Sequence, residues 1–200
     1  MDIKAIFFDL GGVILRTEDK TPRAKLASEF GMSYEEMDRF VFECKSSGQA
    51  SIGKITAEEH WLDVTHRLNR PERDMPHIRD TFFGGDLVDH NIIDLLRLLR
   101  KTHKTGLISN AWNDLRNWLA ANQIEDAFDH LTISAEVGFA KPDARIYQFA
   151  LDHLGVKPAE AVFVDDVEKN ITGCEAVGMH GILFRSASQT IGDIKQLLES

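Results

Sequence analysis

Regular alternation between short apolar runs and amphipathic segments after residue 85 is the feature that most constrains the fold of this chain. The runs TGLIS, LTIS, AVFVDD and GILF are each followed by a segment whose apolar residues recur at helical spacing. Strands that alternate with helices predict a parallel sheet covered by helices on both faces. Together with the apolar run IKAIFF at residues 3–8, the pattern indicates an α/β fold.

Residues 17–82 show helical patterns without an intervening strand, and they predict a helical insert after the first strand. Two Ser/Thr-x-x-Glu capping boxes begin helical segments there: Ser33 with Glu36, and Thr56 with Glu59. The glycine- and serine-rich stretch SSGQASIGK, residues 46–54, predicts a loop between these helices. We therefore expect a core made of residues 1–16 and 83–200, and a helical cap made of residues 17–82.

Composition narrows the possible partners and compartments. The chain has a net charge of −9, which argues against nucleic acid or an anionic membrane surface as its main partner. Cys44 and Cys174 have no metal-type spacing and predict small buried residues in a reducing compartment. No apolar run is long enough to span a bilayer, and Asp9 interrupts the only N-terminal run. We expect a cytoplasmic protein; its oligomeric state is not encoded in any motif.

Polar residues follow three of the predicted strands at the point where each strand ends. Asp9 follows IKAIFF, Ser109 and Asn110 follow TGLI, and Asp165 and Asp166 follow AVFV. Ligands of parallel α/β sheets bind at the carboxyl ends of the strands, near a switch in strand order. The sequence therefore predicts that these side chains meet in one site.

Three carboxylates at one sheet edge would repel one another unless a cation compensates them. The all-oxygen set Asp9, Asp165 and Asp166 suits Mg²⁺, although the pair Asp165-Asp166 alone is equally typical of helix-capping aspartates. Lys141 precedes Pro142, a residue that favours a helix start, and could reach a phosphate there or simply lie in solvent. Taken together, these residues indicate phosphoryl transfer through an aspartyl-phosphate on Asp9.

The motifs FFDLGGV, LISN, KPDARIY and VFVDDVEKNI, in this order, resemble those of the haloacid dehalogenase (HAD) superfamily. The resemblance covers nearly the whole chain. It implies a Rossmann-like parallel sheet core, with residues 17–82 as the inserted α-helical cap. The motifs and the helical insert are most similar to the phosphatase-like subgroup, which includes epoxide-hydrolase N-terminal domains and a bacterial glucose-1-phosphate phosphatase.

The resemblance also implies roles for single residues. Asp9 would be the nucleophile, and Mg²⁺ would be bound by Asp9, Asp166 and the carbonyl oxygen of Gly11. Asp165 would support the metal directly or through water. Asn170, one helical turn after Asp166, would orient the acidic pair.

The same resemblance implies how the substrate is held. Ser109, Asn110 and Lys141 would bind the transferring phosphoryl group of a small phosphorylated metabolite. The cap would close over the site, exclude water and set specificity. Trp112, just after the SN motif, is a candidate for the wall of the substrate pocket. The loop at residues 46–54 is either a specificity loop or a solvated connection.

Gly11 departs from the family pattern, because most family phosphatases carry at this position an Asp that protonates the leaving alkoxide. A positioned general acid is typically worth roughly 10²–10⁴-fold in rate. The first consequence is a phosphatase for a substrate with a good leaving group, such as a sugar-1-phosphate or an acyl phosphate. Alternatively another acid substitutes; Glu18, Asp19 and His60 are candidates, and each is otherwise an ordinary surface or packing residue.

Two further functions stay open from the sequence. A different HAD reaction is one, since dehalogenating and phosphonate-cleaving relatives also lack this Asp. Dehalogenases work without Mg²⁺, which the intact Asp165-Asp166 pair argues against, and phosphonate cleavage needs a cap lysine such as Lys45 or Lys54. The other is a catalytically weak or inactive protein that keeps the metal and phosphate site for sensing or for a partner.

Overall fold

A computed structural model describes residues 2–199 of the 200-residue chain. These residues contain seven strands: β1 Ala5–Phe8, β2 Leu15–Thr17, β3 Asp86–Val88, β4 Lys104–Ser109, β5 His130–Ile133, β6 Ala161–Asp165 and β7 His180–Leu183. Five of them form one parallel sheet in the order β5-β4-β1-β6-β7, and β2 pairs with β3 in an antiparallel ribbon. The predicted α/β class with a parallel sheet is confirmed.

Helices cover both faces of the sheet and form the segment between β2 and β3. The described residues contain eleven α-helices: α1 Thr21–Glu29, α2 Tyr34–Phe42, α3 Lys45–Ala50, α4 Ala57–Arg67, α5 Met75–Phe82, α6 His90–Leu99, α7 Leu115–Ala121, α8 Ser134–Val137, α9 Ala144–Leu154, α10 Glu168–Ala176 and α11 Ala187–Leu198. Among residues 2–199, no helix combines the length and the apolar character that crossing a membrane requires.

The central strand β1 shows why the sheet needs helices on both sides. All four of its residues are buried, and successive side chains point to opposite faces. Ile6 and Phe8 belong to one apolar core, whereas Ala5 and Phe7 belong to another. A strand that is apolar on both faces can be stable only inside such a three-layer arrangement.

The helical insert has an apolar core of its own, built by α1–α5. Leu26, Met37, Trp61 and Phe82 are fully buried in it. Both predicted capping boxes are confirmed: the Ser33 and Thr56 side chains accept hydrogen bonds from the backbone N–H groups three residues on. The cysteines are free, as expected; Cys174 is buried and Cys44 is half-buried.

The loop predicted at residues 46–54 is wrong over its first half, because α3 occupies Lys45–Ala50. Ser46, Ser47 and Ala50 are buried in this helix. The Ser46 hydroxyl donates to Asp63 Oδ2 at 2.7 Å. Small side chains, which suggest a loop in the sequence, here allow close packing of α3 on its neighbours; tertiary contacts override the local preference.

The ribbon formed by β2 and β3 was not predicted, because three-residue strands carry no readable periodicity. Leu15 pairs with Val88 and Thr17 with Asp86, so both connections between the sheet and the insert pass through the ribbon. A Cβ at Gly85 would lie 1.7 Å from the carbonyl oxygen of Asp19, which explains the glycine at this crossing. The core–cap boundaries, after residue 16 and after residue 82, stay a prediction; the ribbon lies beside both.

Candidate active site

Asp9 lies just past the end of β1, at the carboxyl edge of the sheet. Its backbone N–H donates to the Val164 carbonyl of β6 at 2.8 Å, which anchors it between the two strands. Its Oδ1 atom accepts hydrogen bonds from Leu10 N at 2.7 Å and forms an ion pair with Lys141 Nζ at 2.8 Å. Asp9 is only 7% exposed, so its carboxylate has a fixed orientation.

Lys141 lies between two carboxylates. Its Nζ atom is 2.8 Å from Asp9 Oδ1 and 2.7 Å from Asp165 Oδ2, and the side chain is buried. A buried cation is tolerated when it is paired and hydrogen-bonded in this way. Pro142, which follows it through a cis peptide bond, lies before α9 rather than in it; Asp143 is the N-cap residue instead.

Asn110 holds the backbone of Lys141. Its Nδ2 group donates to the Lys141 carbonyl at 3.0 Å, and its Oδ1 atom accepts from Lys141 N at 2.7 Å. Both ends of the amide are therefore engaged with Lys141, which makes Asn110 a positioning residue for that lysine in this structure. Ser109, predicted to bind the phosphoryl group with it, is buried at the end of β4.

Asp165 is fully buried and surrounded by donors. Its Oδ1 atom accepts from Val167 N at 2.7 Å, its Oδ2 atom contacts Lys141, and Asn170 Nδ2 lies 3.1 and 3.0 Å from the two oxygens. Asn170 thus contacts the acidic pair, through Asp165. The carboxylate of Asp165 is oriented toward protein groups on both oxygens.

Asp166, in contrast, is exposed, and Gly12 lies directly against it. A Cβ built at Gly12 would be 2.1 Å from Asp166 Oδ2, and the backbone of Gly12 has φ +75°, where side chains are strained. Sequence reasoning missed this residue. The only signal was the second glycine of DLGG, which nothing in the sequence distinguished from the first.

The three acids meet as predicted. Asp9, Asp165 and Asp166 each offer a carboxylate oxygen within 4.8 Å of the others. Burial raises the pKa of Asp9 to about 6, although Lys141 opposes the shift. Burial and the charge of Asp165 also raise the pKa of Asp166. One ammonium group, that of Lys141, faces three carboxylates, so the site has an excess of negative charge. An all-oxygen donor set with such an excess fits a hard divalent cation such as Mg²⁺.

Gly11 lies in open space at the same edge. It is exposed, and a Cβ built on it would have no heavy atom within 4 Å. The absence of an acid at this position is therefore not imposed by packing.

The three substitute acids suggested by the sequence are engaged elsewhere. Glu18 accepts from Arg16 Nε at 3.1 Å, and Asp19 accepts from Thr21 N at 2.8 Å. His60 is fully buried inside the helical insert, where burial lowers its pKa to about 4. None of the three belongs to the group of acids around Asp9 in the described part of the chain.

Trp112 joins the loop after β4 to the helical insert. Its ring lies 4.4 Å from that of His60, measured between centroids. Its ring also packs against three further aromatic rings, and a fourth, that of Phe82, packs against those three. Together they form what we term the aromatic cluster: Phe42, Trp61, Phe82, Phe83 and Trp112. Next to it, Asn113 Oδ1 accepts a hydrogen bond from Ala57 N at the start of α4, at 2.8 Å.

Comparison with known proteins finds relatives of this chain among phosphatases and epoxide hydrolases. The bifunctional epoxide hydrolase 2 of Rattus norvegicus is 35% identical over 105 residues, which cover 50% of this chain and 19% of that protein. The glyceraldehyde 3-phosphate phosphatase of Methanothermobacter thermautotrophicus is 37% identical over 188 residues, 90% of this chain and 74% of that protein. The chain thus matches only a minor part of the epoxide hydrolase.

The fold also matches a solved structure. A HAD family enzyme of Bacteroides thetaiotaomicron, in complex with magnesium and inorganic phosphate, superposes with a TM-score of 0.76 at 22% identity, covering 92% of this chain and 96% of that one. The family model described as haloacid dehalogenase-like hydrolase matches residues 3–178. With the parallel sheet and the acids at its edge, this match shows that the chain belongs to the haloacid dehalogenase-like hydrolase family.

Proposed function

We propose that this protein is a Mg²⁺-dependent phosphatase that hydrolyses a small phosphorylated metabolite through an aspartyl-phosphate on Asp9. The observation that carries the proposal is the buried Lys141, paired with both Asp9 and Asp165 next to the exposed Asp166. Similarity to relatives such as the glyceraldehyde 3-phosphate phosphatase supports a phosphate ester as the substrate.

Asp9 is arranged to act as the nucleophile. Its Oδ1 atom is held by Leu10 N and Lys141 Nζ, which leaves Oδ2 for attack on phosphorus. With a pKa of about 6, the carboxylate is mostly ionised at neutral pH. A buried carboxylate with a fixed orientation loses little entropy when it reacts.

Lys141 is placed to stabilise the transferring phosphoryl group. Because its Nζ atom lies 2.8 Å from the attacking carboxylate, a phosphoryl group on Asp9 would be within reach of the ammonium. Asn110 fixes the backbone of Lys141, and Asp165 fixes its side chain. The hydroxyl group of Ser109 would donate to a phosphoryl oxygen from the neighbouring strand. Fixed positive charge of this kind lowers the barrier of phosphoryl transfer.

Asp9, Asp166 and the Gly11 carbonyl would hold Mg²⁺. When bound, the metal supplies positive charge that offsets the repulsion between the carboxylate and a phosphate dianion. Asp165 is better suited to a supporting role, because both of its oxygens already accept hydrogen bonds from protein groups. We therefore infer that Asp165 acts on the site by positioning Lys141 and Asn170.

A second function is favoured by one observation, the absence of an acid at Gly11. If no substrate carries a leaving group good enough, the site would bind metal and phosphate without turnover. The two functions differ in a single measurement, the hydrolysis of acetyl phosphate, whose carboxylate leaving group needs no proton.

Acetyl phosphate hydrolysis with Mg²⁺ is therefore the test. We expect turnover by the wild type, its loss on chelation of the metal, and a decrease of at least about 10³-fold for Asp9→Asn, since the nucleophile is removed. Phosphate bound in the same sample, measured by calorimetry, reports whether the variant still forms the site. Turnover by Asp9→Asn equal to that of the wild type would overturn the role of Asp9, and a wild type that binds phosphate but never turns over would establish the second function.

A further inference from the structure

We propose that the alcohol part of the substrate is aromatic, a phosphate monoester of a phenol-type hydroxyl, with its ring seated against Phe42. The inference rests on the proposed function and adds the substrate class. Two independent features support it: the exposed ring of Phe42, stacked on Trp112 three residues after Ser109, and the missing acid at Gly11.

Phe42 is the one member of the aromatic cluster that offers a large accessible face. It is 42% exposed, whereas Trp61, Phe82 and Trp112 are buried. It stacks on Trp112 with a centroid distance of 6.0 Å and an angle of 30° between the ring planes. A ring with one face exposed can pair with a ligand ring in an offset-stacked or edge-to-face arrangement.

Chain connectivity links Trp112, on which Phe42 stacks, to the phosphoryl site. Trp112 follows Ser109 by three residues, so their Cα atoms lie within about 10 Å of each other. Val167, another exposed apolar side chain, comes directly after Asp166 on the opposite side of Asp9. An ester whose phosphoryl group contacts Asp9 and Lys141 would thus have the aromatic cluster toward the β4 side of the site and Val167 toward the β6 side.

The polar atoms of the aromatic cluster do not compete for a hydroxylated substrate. Trp61 Nε1 and the neighbouring His60 Nε2 have no hydrogen-bond partner in the described chain, but both side chains are buried away from the accessible face. The accessible face of Phe42 itself therefore offers an apolar ring surface and no hydrogen-bonding atom from the cluster.

The absence of an acid at Gly11 favours the same class of substrate, because a phenolate can leave without being protonated first. A phenol has a pKa of about 10, close to that of the tyrosine side chain. The pKa of water, whose O–H group resembles that of an aliphatic alcohol, is about 15.7. In the first step, a carboxylate oxygen of Asp9 bonds to phosphorus and the ester P–O bond breaks. The electron pair leaves on the phenolate oxygen, which takes a proton from water afterwards. Water then attacks phosphorus, releases phosphate and restores the Asp9 carboxylate.

Binding of two non-hydrolysable probes tests this assignment without turnover. In the presence of Mg²⁺, we expect phenylphosphonate to bind the wild type about 3–10-fold more tightly than methylphosphonate, from the contribution of one aromatic contact. Phe42→Ala should bring the ratio close to one, and Phe42→Leu should give an intermediate ratio. Leu98→Ala is the matched control, because Leu98 is 59% exposed but lies on α6, outside the aromatic cluster.

Steady-state kinetics provides the second measurement. The ratio of kcat/KM for phenyl phosphate to that for acetyl phosphate should fall about 3–10-fold in Phe42→Ala, chiefly through KM, and should stay at the wild-type value in Leu98→Ala. Thermal unfolding of each variant confirms that Phe42→Ala is folded. Should it be unfolded, Phe42→Leu and the wild-type probe ratio still decide the question.

The failure of this inference is distinguishable from that of the proposed function. Asp9-dependent hydrolysis of acetyl phosphate, with equal wild-type affinity for the two phosphonates or with a ratio that Phe42→Ala leaves intact, would overturn the aromatic site alone. Preference for phenylphosphonate that depends on Phe42, in a protein without Asp9-dependent turnover, would support the aromatic site and overturn the phosphatase.

Discussion

At the scale of single residues, two adjacent glycines differ in what they allow. A side chain at Gly11 would enter open space, and Gly11 does not need a left-handed backbone. A side chain at Gly12 would collide with the Asp166 carboxylate and would have to adopt φ +75°. The backbone thus approaches Asp166 closely at one glycine and leaves room for an acid at the other.

Gly11→Asp should therefore fold and supply a general acid. We expect turnover of alkyl phosphates, whose leaving groups are strongly basic, to increase by about 10–100-fold relative to turnover of acetyl phosphate. Steady-state rates with glycerol phosphate and acetyl phosphate give the comparison. An equal change for the two substrates would show that Gly11 does not limit protonation of the leaving group. Gly12→Asp is the matched control, and we expect it to lose stability by about 2 kcal/mol or more.

At the scale of secondary-structure elements, a polar cluster joins α3 to α4 inside the helical insert. The Ser46 hydroxyl donates to Asp63, so the Nδ1–H group of His60 donates to Ser46 Oγ at 2.9 Å. His60 Nε2 is buried and has no hydrogen-bond partner among the described residues, so a proton on it would lack an acceptor, which favours the neutral imidazole. Burial is the main cause of the low pKa of His60; the charge of Arg67 adds to it and that of Asp63 opposes it.

His60 should make the folded protein sensitive to mild acid. Its pKa falls from 6.5 to about 4 on folding, so the unfolded chain binds the proton first as the pH decreases. The stabilising effect of neutral His60 is complete above about pH 6.5 and is lost progressively toward pH 4. We expect a loss of about 3 kcal/mol across this range.

Urea denaturation of His60→Gln at several pH values measures this effect. The unfolding free energy of the variant should depend less steeply on pH than that of the wild type between pH 6.5 and 4.5. His66→Gln, which removes an exposed histidine from the same helix, should keep the wild-type slope. Parallel curves for wild type and His60→Gln would contradict the assignment of a neutral buried imidazole.

At the scale of the whole molecule, Arg23 connects the helical insert to the ribbon that leads into the sheet. It is buried, donates to the Phe82 carbonyl at 3.0 Å and pairs with Asp86 of β3 at 3.1 Å. It also pairs with Asp38 of α2 at 2.6 Å. Asp86 in turn accepts from the Thr17 hydroxyl of β2 at 2.6 Å. One guanidinium group thus holds together the insert and both strands of the ribbon.

Arg23→Met should weaken this junction strongly. Removing the buried guanidinium leaves the half-buried Asp86 without its cation, and loss of one partner of a buried ion pair typically costs about 3–5 kcal/mol. Guanidinium denaturation, with the slope checked for a change in cooperativity, gives the value. Arg79→Met is the control, because the pair of Arg79 with Asp80 is exposed and worth about 0–1 kcal/mol. A cost for Arg23→Met as small as that of the control would show that the junction does not depend on this residue.

The sequence was sufficient to predict the α/β sheet, the two capping boxes and the meeting of Asp9 with Asp165 and Asp166. These features follow from local periodicity and from the rule that parallel strands present their carboxyl ends on one edge. The helix α3 and the β2–β3 ribbon could not be predicted in this way. Their formation depends on burial of small side chains and on pairing between segments about 70 residues apart, to which local patterns are insensitive.

The same distinction between local sequence and tertiary structure applies to the site. The identity of the acids and the absence of an acid at Gly11 are properties of the sequence. Only the tertiary structure showed that Asn110 holds Lys141, that Asp165 directs both oxygens to protein groups, and that Gly12 makes room for Asp166. Local periodicity determines which residues reach the sheet edge, whereas hydrogen bonds and steric contacts between distant segments determine what each residue can do there.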